Sequence, residues 1–561
     1  IGNRWYVLRK TFRRHRIAVG IAATVLAALS VTAVTIGMAW SRVRVERDGA
    51  RAAARTAYDL FDMALTDIEE SVRPLAGGVA VRDRLIGRLT DKLPELERLA
   101  KADPKLEAVA LQLQEKQGAI ALQQGRRGEA AGYLRRFLEA SLARCAGDSS
   151  AAASCATVLR AYRELAQASD DPSRLFTRAL EFGTQALARH TTNERLRYEW
   201  CRLLLAHAAV LRNSGRYEEA LSQFERALAS CAPHDESSPS SDFTWSRAVA
   251  EALAGRGMVM QDLGDATGAR QNLEESLQIR ARLVAEHPAD TQARFELLLA
   301  YGHLADLHRD AAEPDEAKRF YGLAAEQGEL LAAMDRSCLA WHRDRFSIHE
   351  RWASMCLTNK EVGEAQRAAA HAIAVAEDWA AREASPDARA ALFDAHALEG
   401  KVRRSERDWD AAAQSYNEAL VIAETLLQAD PNGPSSLVRV AATQDALGFC
   451  ARELGDLGAA VEHCQRALEI YERIRRAQPD VVIDTLRLVQ IRINCAYAYR
   501  DMHTRAAHER ADDLLAEARC TFEELESAHK LTGLEAKRQY MVRALAAAER
   551  ALAKQTTAGE E

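Results

Sequence analysis

The chain has 561 residues, with 75 Lys and Arg against 81 Asp and Glu, a formal net charge of −6, 12 Pro and 6% aromatics. That length exceeds one compact domain and requires several domains or an elongated array. Interspersed charges of both signs exclude the basic patch of a nucleic-acid binder. Scarce β-branched and aromatic runs exclude a sheet protein and leave an all-α fold, which suits the Ala, Leu, Glu and Arg usage.

Residues 1–16 form a basic juxtamembrane segment, where "RWYVLRKTFRRHR" holds six basic residues and no acid. The stretch that follows, Ile17 to Trp40, carries no charge. As a helix it would span about 36 Å, enough to cross a bilayer, with Trp40 at the interface. A cleaved signal peptide is the competing reading, since Gly37-Met38-Ala39 resembles a cleavage site, but the run exceeds the usual apolar length. Five arginines (Arg42, Arg44, Arg47, Arg51, Arg55) follow the span against six basic residues before it, which favours a cytoplasmic N-terminus. Gly20, Ala23, Ala27 and Ser30 could pack two copies together, giving a homodimer; a generic Ala-rich span accounts for them better. Residues 41–103 are expected to form a helical stalk.

From 104 to 530 the sequence repeats. "GRYEEALSQFERAL" at Gly215 returns as "GDATGARQNLEESL" at Gly264 and "GDLGAAVEHCQRAL" at Gly455, with further copies between and before them. The anchoring alanines are Ala130, Ala179, Ala220, Ala269, Ala317, Ala365, Ala412, Ala460 and Ala511. Most are separated by a period of about 48 residues, within the range of helical repeat arrays. A large residue lies four positions on (Phe224, Leu273, Tyr321, Tyr416) and a small one three further (Ala227, Ser276, Ala324, Ala419), all on one helical face. Pro288, Pro431 and Pro479 mark helix ends. Such hairpins cannot bury their apolar faces alone and must stack. Ala232–Asp242, "APHDESSPSSD", reads as the clearest loop. Residues 531–561 read as a capping helix, from about Leu534 to Lys554, and a polar tail.

Gly257, Gly264 and Ala269 in one copy, and Leu447, Gly448, Gly455, Ala460 and Ala467 in another, resemble the tetratricopeptide repeat. That resemblance implies about nine helix-pair units in a solenoid. The period of about 48 exceeds the usual 34 and adds about two turns to each helix.

Pro74-Leu75-Ala76-Gly77, Val81-Arg82-Asp83-Arg84-Leu85 and the segment Leu93 to Leu106, placed between a span and such repeats, resemble the C-terminal part of bacterial membrane-anchored serine/threonine kinases. The resemblance implies a cytoplasmic kinase domain ahead of the span, repeats on the far side of the bacterial inner membrane, and a first residue, Ile1, that belongs to a fragment. No catalytic motif is present. His308-Arg309-Asp310 and His342-Arg343-Asp344 match the kinase triplet, yet Asp315 and His349 stand where its loop needs Asn. ATP and Mg are therefore expected only for the absent kinase domain, and no cofactor or catalytic residue is expected in this chain. A stand-alone membrane-tethered scaffold is the alternative, and a small-ligand sensor a third.

A protein or peptide ligand is expected on the concave face lined by the first helices. Arg212, Arg309, Arg404 and Arg452 recur at one repeat position, with Lys401 and Arg500 nearby, and guanidinium groups suit an acidic peptide or C-terminal carboxylate. The same arginines fall near helix ends, where cations complement the dipole. Ten cysteines show no C-x-x-C and read as buried thiols, although Cys145 and Cys155 could close a short loop outside the cytoplasm. The histidines show no metal-ligand spacing.

Overall fold

The computed structural model describes residues 104–558 except 124–125, 148–150, 232–238, 335–340, 384, 479–480, 529 and 532–534. The basic segment, the expected span at 17–40 and the stalk at 41–103 lie outside the described residues. No helix among those described is long and apolar enough to cross a membrane.

The described residues are helical, with no strand among them. They fall into two units, divided between residues 340 and 341. The first contains α1 (Pro104–Gln123), α2 (Arg127–Gly147), α3 (Ala152–Ala168), α4 (Pro172–Arg189), α5 (Glu194–Asn213), α6 (Tyr217–Ser230), α7 (Pro239–Asp262), α8 (Ala266–Glu286), α9 (Thr291–Asp310) and α10 (Pro314–Met334). The second contains α11 (His342–Thr358), α12 (Val362–Arg382), α13 (Pro386–Ser405), α14 (Trp409–Ala429), α15 (Pro434–Glu453), α16 (Leu457–Ala477), α17 (Val482–Asp501), α18 (Arg505–Ser527) and α19 (Glu535–Ala558). Consecutive helices pair as antiparallel hairpins. In the α7/α8 pair, Arg282 reaches Ser246 at one end and Arg256 reaches Asn272 at the other.

The hairpin turns show why this sequence folds so regularly. Their middle residues are Gly215, Gly264, Ala312, Lys360, Arg407, Gly455 and His503, one in each successive hairpin, and every one has positive φ. At Gly264 the N–H bonds the Gln261 carbonyl while the following Asp265 N–H reaches back to Met260. This is the Schellman closure of a helix C-terminus, and Gly215, Ala312, Lys360, Arg407 and Gly455 repeat it. Asp265, Asp408 and Asp456 then cap the next helix through their carboxylates, so one short turn both ends a first helix and starts a second.

All nine anchoring alanines lie on second helices, each with no exposed surface. Twelve positions before seven of the nine anchors stands a Gly or Ala on the first helix, with Gln167 and Tyr499 in that place before Ala179 and Ala511. A Cβ at Gly257 would meet Leu273 at 2.9 Å, and one at Gly400 would meet Tyr416 at 2.6 Å. Tyr321 and Tyr416, four past their anchors, are buried at 0% and 3% exposure. Bare backbone at one position makes room for the large side chain at the other, so sequence spacing becomes a close helix crossing.

Two expectations change. The loop expected at 232–242 is cut short because α7 begins at Pro239; proline has no N–H to leave unpaired and is tolerated in a first turn. The terminal helix runs to Ala558 rather than Lys554. It packs Met541, Leu545 and Ala548 into the core of the second unit.

Candidate functional site

Arg212, Arg309, Arg404, Arg452 and Arg500 are each the penultimate residue of a first helix. Their carbonyls accept the N–H of the positive-φ turn residue, and their charges lie at the negative end of the helix dipole. Some of their side chains continue into the next hairpin. Arg212 Nε bonds Asp262 Oδ2 at 2.6 Å, and Asp262 is the last residue of α7. In α7 the penultimate place is taken by Gln261, which donates to Asp310 at 2.7 Å. Arg452 Nε lies 3.8 Å from Asp501, the last residue of α17. Penultimate donor to last-residue carboxylate is thus a link repeated from hairpin to hairpin. Arg309 turns within its own helix to Asp306 and Asp310.

In the first unit the faces of the first helices are neutralised internally. Arg160 pairs with Glu115, Arg163 with Glu164 and Glu199, Arg202 with Glu251, and Arg247 with Glu296. Burial opposes the charge of Arg163, yet Glu199 and Glu164 outweigh it and hold its pKa above the ordinary value. Burial likewise resists ionisation of Glu296, and Arg247 reverses it, leaving that carboxyl below its usual range. Trp245 Nε1 donates to Glu194 at 3.0 Å and its ring meets Tyr198 edge-on.

The second unit is built differently. Arg404 lies 5.3 Å over Phe449, Arg452 lies 5.2 Å from Phe449 and 5.6 Å from Tyr497, and Arg500 lies 5.0 Å from Tyr497. Trp409 meets Phe449 edge-on at 5.8 Å. Cation and ring alternate across α13, α15 and α17, which is the geometry of cation–π attraction. Arg404 and Lys401 are exposed one turn apart on α13. Among the described residues neither has a carboxylate within ion-pair distance. Glu453, the last residue of α15, is taken by Arg452.

Beneath the ladder sits Asp445, whose two carboxylate oxygens accept from Asn494 Nδ2 at 2.8 and 3.0 Å. Burial pushes its carboxyl up to about 6, while Asn494 and Arg404 pull the other way. Asp394 on α13 is also pushed to about 6 by burial. A perturbed carboxyl beside unpaired cations is the electrostatic pattern of a binding site.

The sequence names the arginines but not their aromatic partners. Phe449 and Tyr497 stand one repeat apart, each three positions before its arginine, so a search for Arg with an aromatic at i−3 would have found them. A His396–Glu399–Glu418 group was also unforeseen, because its third member comes from the neighbouring helix. Its potential ligand atoms lie within 4.8 Å of one another. His396 Nδ1 is 3.0 Å from Glu418, and Arg403 lies 3.7 Å from Glu399 and competes for it. Both kinase-like triplets fall in helices: His308 is buried and stacked on Phe320, and His342 bonds Asp378.

These features define an all-α, tetratricopeptide-like helical repeat protein. The tetratricopeptide repeat family model matches residues 208–232, 249–289 and 440–475, which fall on α5/α6, α7/α8 and α15/α16. Similar solved structures include the apo form of the quorum sensor NprR from B. thuringiensis, with 15% identity, TM-score 0.39, and coverage of 73% of this chain and 99% of that one. BtubC from P. vanneervenii has 19% identity and TM-score 0.36, over 46% and 92% of the two chains. A Rap protein complexed with competence and sporulation factor has 13% identity and TM-score 0.34, over 72% and 100%. No curated protein matches the chain.

Proposed function

We propose that this chain is a docking module that captures an acidic peptide segment or a C-terminal carboxylate on the α13–α15–α17 face. The observation that carries the reading is the pair of exposed cations, Lys401 and Arg404, left without carboxylates at one end of a cation–aromatic ladder. A ligand carboxylate would meet a guanidinium whose other side is held by Phe449, so little side-chain freedom is lost on binding. Along the first unit an acidic ligand would have to displace Glu199, Glu251 or Glu296 from its arginine, which disfavours that face.

The test is titration of the full chain with fluorescent peptides ending in Asp or Glu, and with the same peptides amidated. Binding that survives Ala substitution at Lys401, Arg404, Arg452 and Arg500 together would sink the reading.

We further propose that the module is tethered to a membrane through residues 17–40 and forms the sensory C-terminal region of a bacterial serine/threonine kinase. The support is the uncharged run from Ile17 to Trp40 after a basic flank and the kinase-like segments around Pro74 and Val81. Translating the coding DNA upstream of Ile1 decides it. A Gly-rich loop, a strand Lys, a complete H-R-D-L-x-x-x-N and a D-F-G support the kinase. An open frame lacking all of these leaves a membrane-tethered scaffold.

A further inference from the structure

Eight of the nine cysteines described are buried. Four of these are arranged in pairs. Cys145 Sγ lies 3.3 Å from Cys155 Sγ, joining the end of α2 to the start of α3. Cys201 Sγ lies 3.3 Å from Cys231 Sγ, joining the middle of α5 to the C-terminal end of α6. The pairs thus bridge one hairpin to the next in one case and the two helices of a single hairpin in the other. Cys450, Cys464 and Cys495, also buried, lie outside these pairs.

We propose that these thiols form two disulfides, Cys145–Cys155 and Cys201–Cys231, when the repeats fold in contact with a disulfide donor such as glutathione disulfide or a dithiol–disulfide oxidoreductase. In each pair one cysteine thiolate attacks a sulfur of the donor, forms a mixed disulfide and expels the first donor thiolate. The second cysteine, after losing its proton, attacks the protein-side sulfur and expels the remaining donor thiolate. Each pair gives up two protons and two electrons, and the donor disulfide becomes two thiols. Closing the bond brings the sulfurs from 3.3 Å to about 2.05 Å, a shift on the order of 1 Å that side-chain rotation can supply. Within the second pair the hydrogen bond from Cys201 lowers the Cys231 thiol, whereas Cys201 itself is raised by that bond and by burial. Because all four are at most 9% exposed, exchange with the donor must precede or accompany folding.

The inference stands on thiol geometry and is independent of the peptide-docking reading. Its test is oxidative refolding of the full chain from the reduced, denatured state in a glutathione/glutathione disulfide buffer. Free thiols are then alkylated under denaturing conditions and the linkages mapped by peptide mass. The expected result is that both links are found and four fewer cysteines are alkylated on their account. Double Ser substitution of either pair should leave the other link in place. Refolded, helical protein that lacks these links, or that joins these cysteines to Cys450 or Cys520 instead, overturns the proposal. As a second readout that needs no variant, the oxidised chain should melt at higher temperature than the reduced chain; equal melting temperatures with both links mapped would refute their role as staples.

Discussion

The first-helix face of the first unit and that of the second use one scaffold for opposite ends. On α3, α5 and α7, Arg163, Arg202 and Arg247 each meet a carboxylate of the next hairpin. On α13, α15 and α17, Arg404, Arg452 and Arg500 lie over aromatic rings, and Lys401 and Arg404 at the α13 end keep their charge open. The backbone devices do not differ: Schellman turns, anchoring alanines and the small residue twelve positions upstream occur in both. What separates a face that holds itself together from one that can hold something else is the choice of partner for a repeated arginine.

The sharpest way to break the first face is Arg163→Ala. The Arg163 and Glu199 side chains are 12% and 10% exposed, so removing the cation strands a buried carboxylate. Removing one partner of a buried pair costs about 3–5 kcal/mol. Urea unfolding monitored at the first unit should show that loss, and Arg404→Ala in the second unit should cost less than about 1 kcal/mol because Arg404 is exposed and unpaired. Equal losses would erase the distinction between the faces.

Asp445 sharpens the comparison through pH. Its folded pKa is about 6 and its ordinary value 3.8. As pH rises from about 4 the unfolded chain gives up this proton first, the folded chain holds more protons, and stability falls until about pH 6, above which the contribution is constant. The shift corresponds to at most about 3 kcal/mol. Asp445→Asn retains an acceptor for Asn494 and removes the titration. The variant is expected to be about 1–3 kcal/mol more stable than the parent at pH 7 and to converge with it below about pH 4. A gap that stays constant across that range would contradict a strained carboxyl here.

Much of the scaffold could be read from sequence and little of the site. The anchoring alanines are legible because burial against a crossing helix admits only a small side chain, and that constraint repeats with the hairpin. Gly257 and Gly448 are legible for the same reason. The partners of Arg212 and Arg452 are not, since Asp262 and Asp501 belong to the following hairpin, where many other acids lie at comparable separations. Nor does a list of arginines distinguish Arg202, facing Glu251, from Arg404, facing Phe449. That difference depends on which side chain of the adjacent hairpin points inward, which is set only when the hairpins stack. The expected row of six cations therefore resolves into structural links at Arg212 and Arg452, local pairs at Arg309 and Arg500, and two open charges.

For binding, the open charges should matter more than the paired ones. Arg404→Ala is expected to weaken a bound acidic peptide about tenfold, which is about 1.4 kcal/mol. Arg212→Ala, on the self-neutralised face, should leave affinity unchanged. Isothermal titration with one peptide against both variants checks this, and a loss confined to Arg212→Ala would move the docking face to the first unit.

The smallest expected effects concern what the two units share. Ala312 and Arg407 hold φ of 58° and 62° at turns where Gly215, Gly264 and Gly455 hold 73° to 87°. A side chain in that region crowds the following carbonyl at a cost of about 1–2 kcal/mol, whereas glycine is free of the clash but gives the unfolded chain more conformations to lose. The clash is the larger of the two, so Ala312→Gly and Arg407→Gly should each stabilise by about 0.5–1 kcal/mol. Gly264→Ala should destabilise by about 1 kcal/mol, because its Cβ would meet nothing within 4 Å and only the backbone strain remains. Thermal melts of the three variants check these values. The two glycine gains should also match each other, since Ala312 closes a turn in the salt-bridged unit and Arg407 one in the aromatic-laddered unit. A gain at one and a loss at the other would mean that the turn takes part in what distinguishes the faces, through the arginine whose carbonyl it caps.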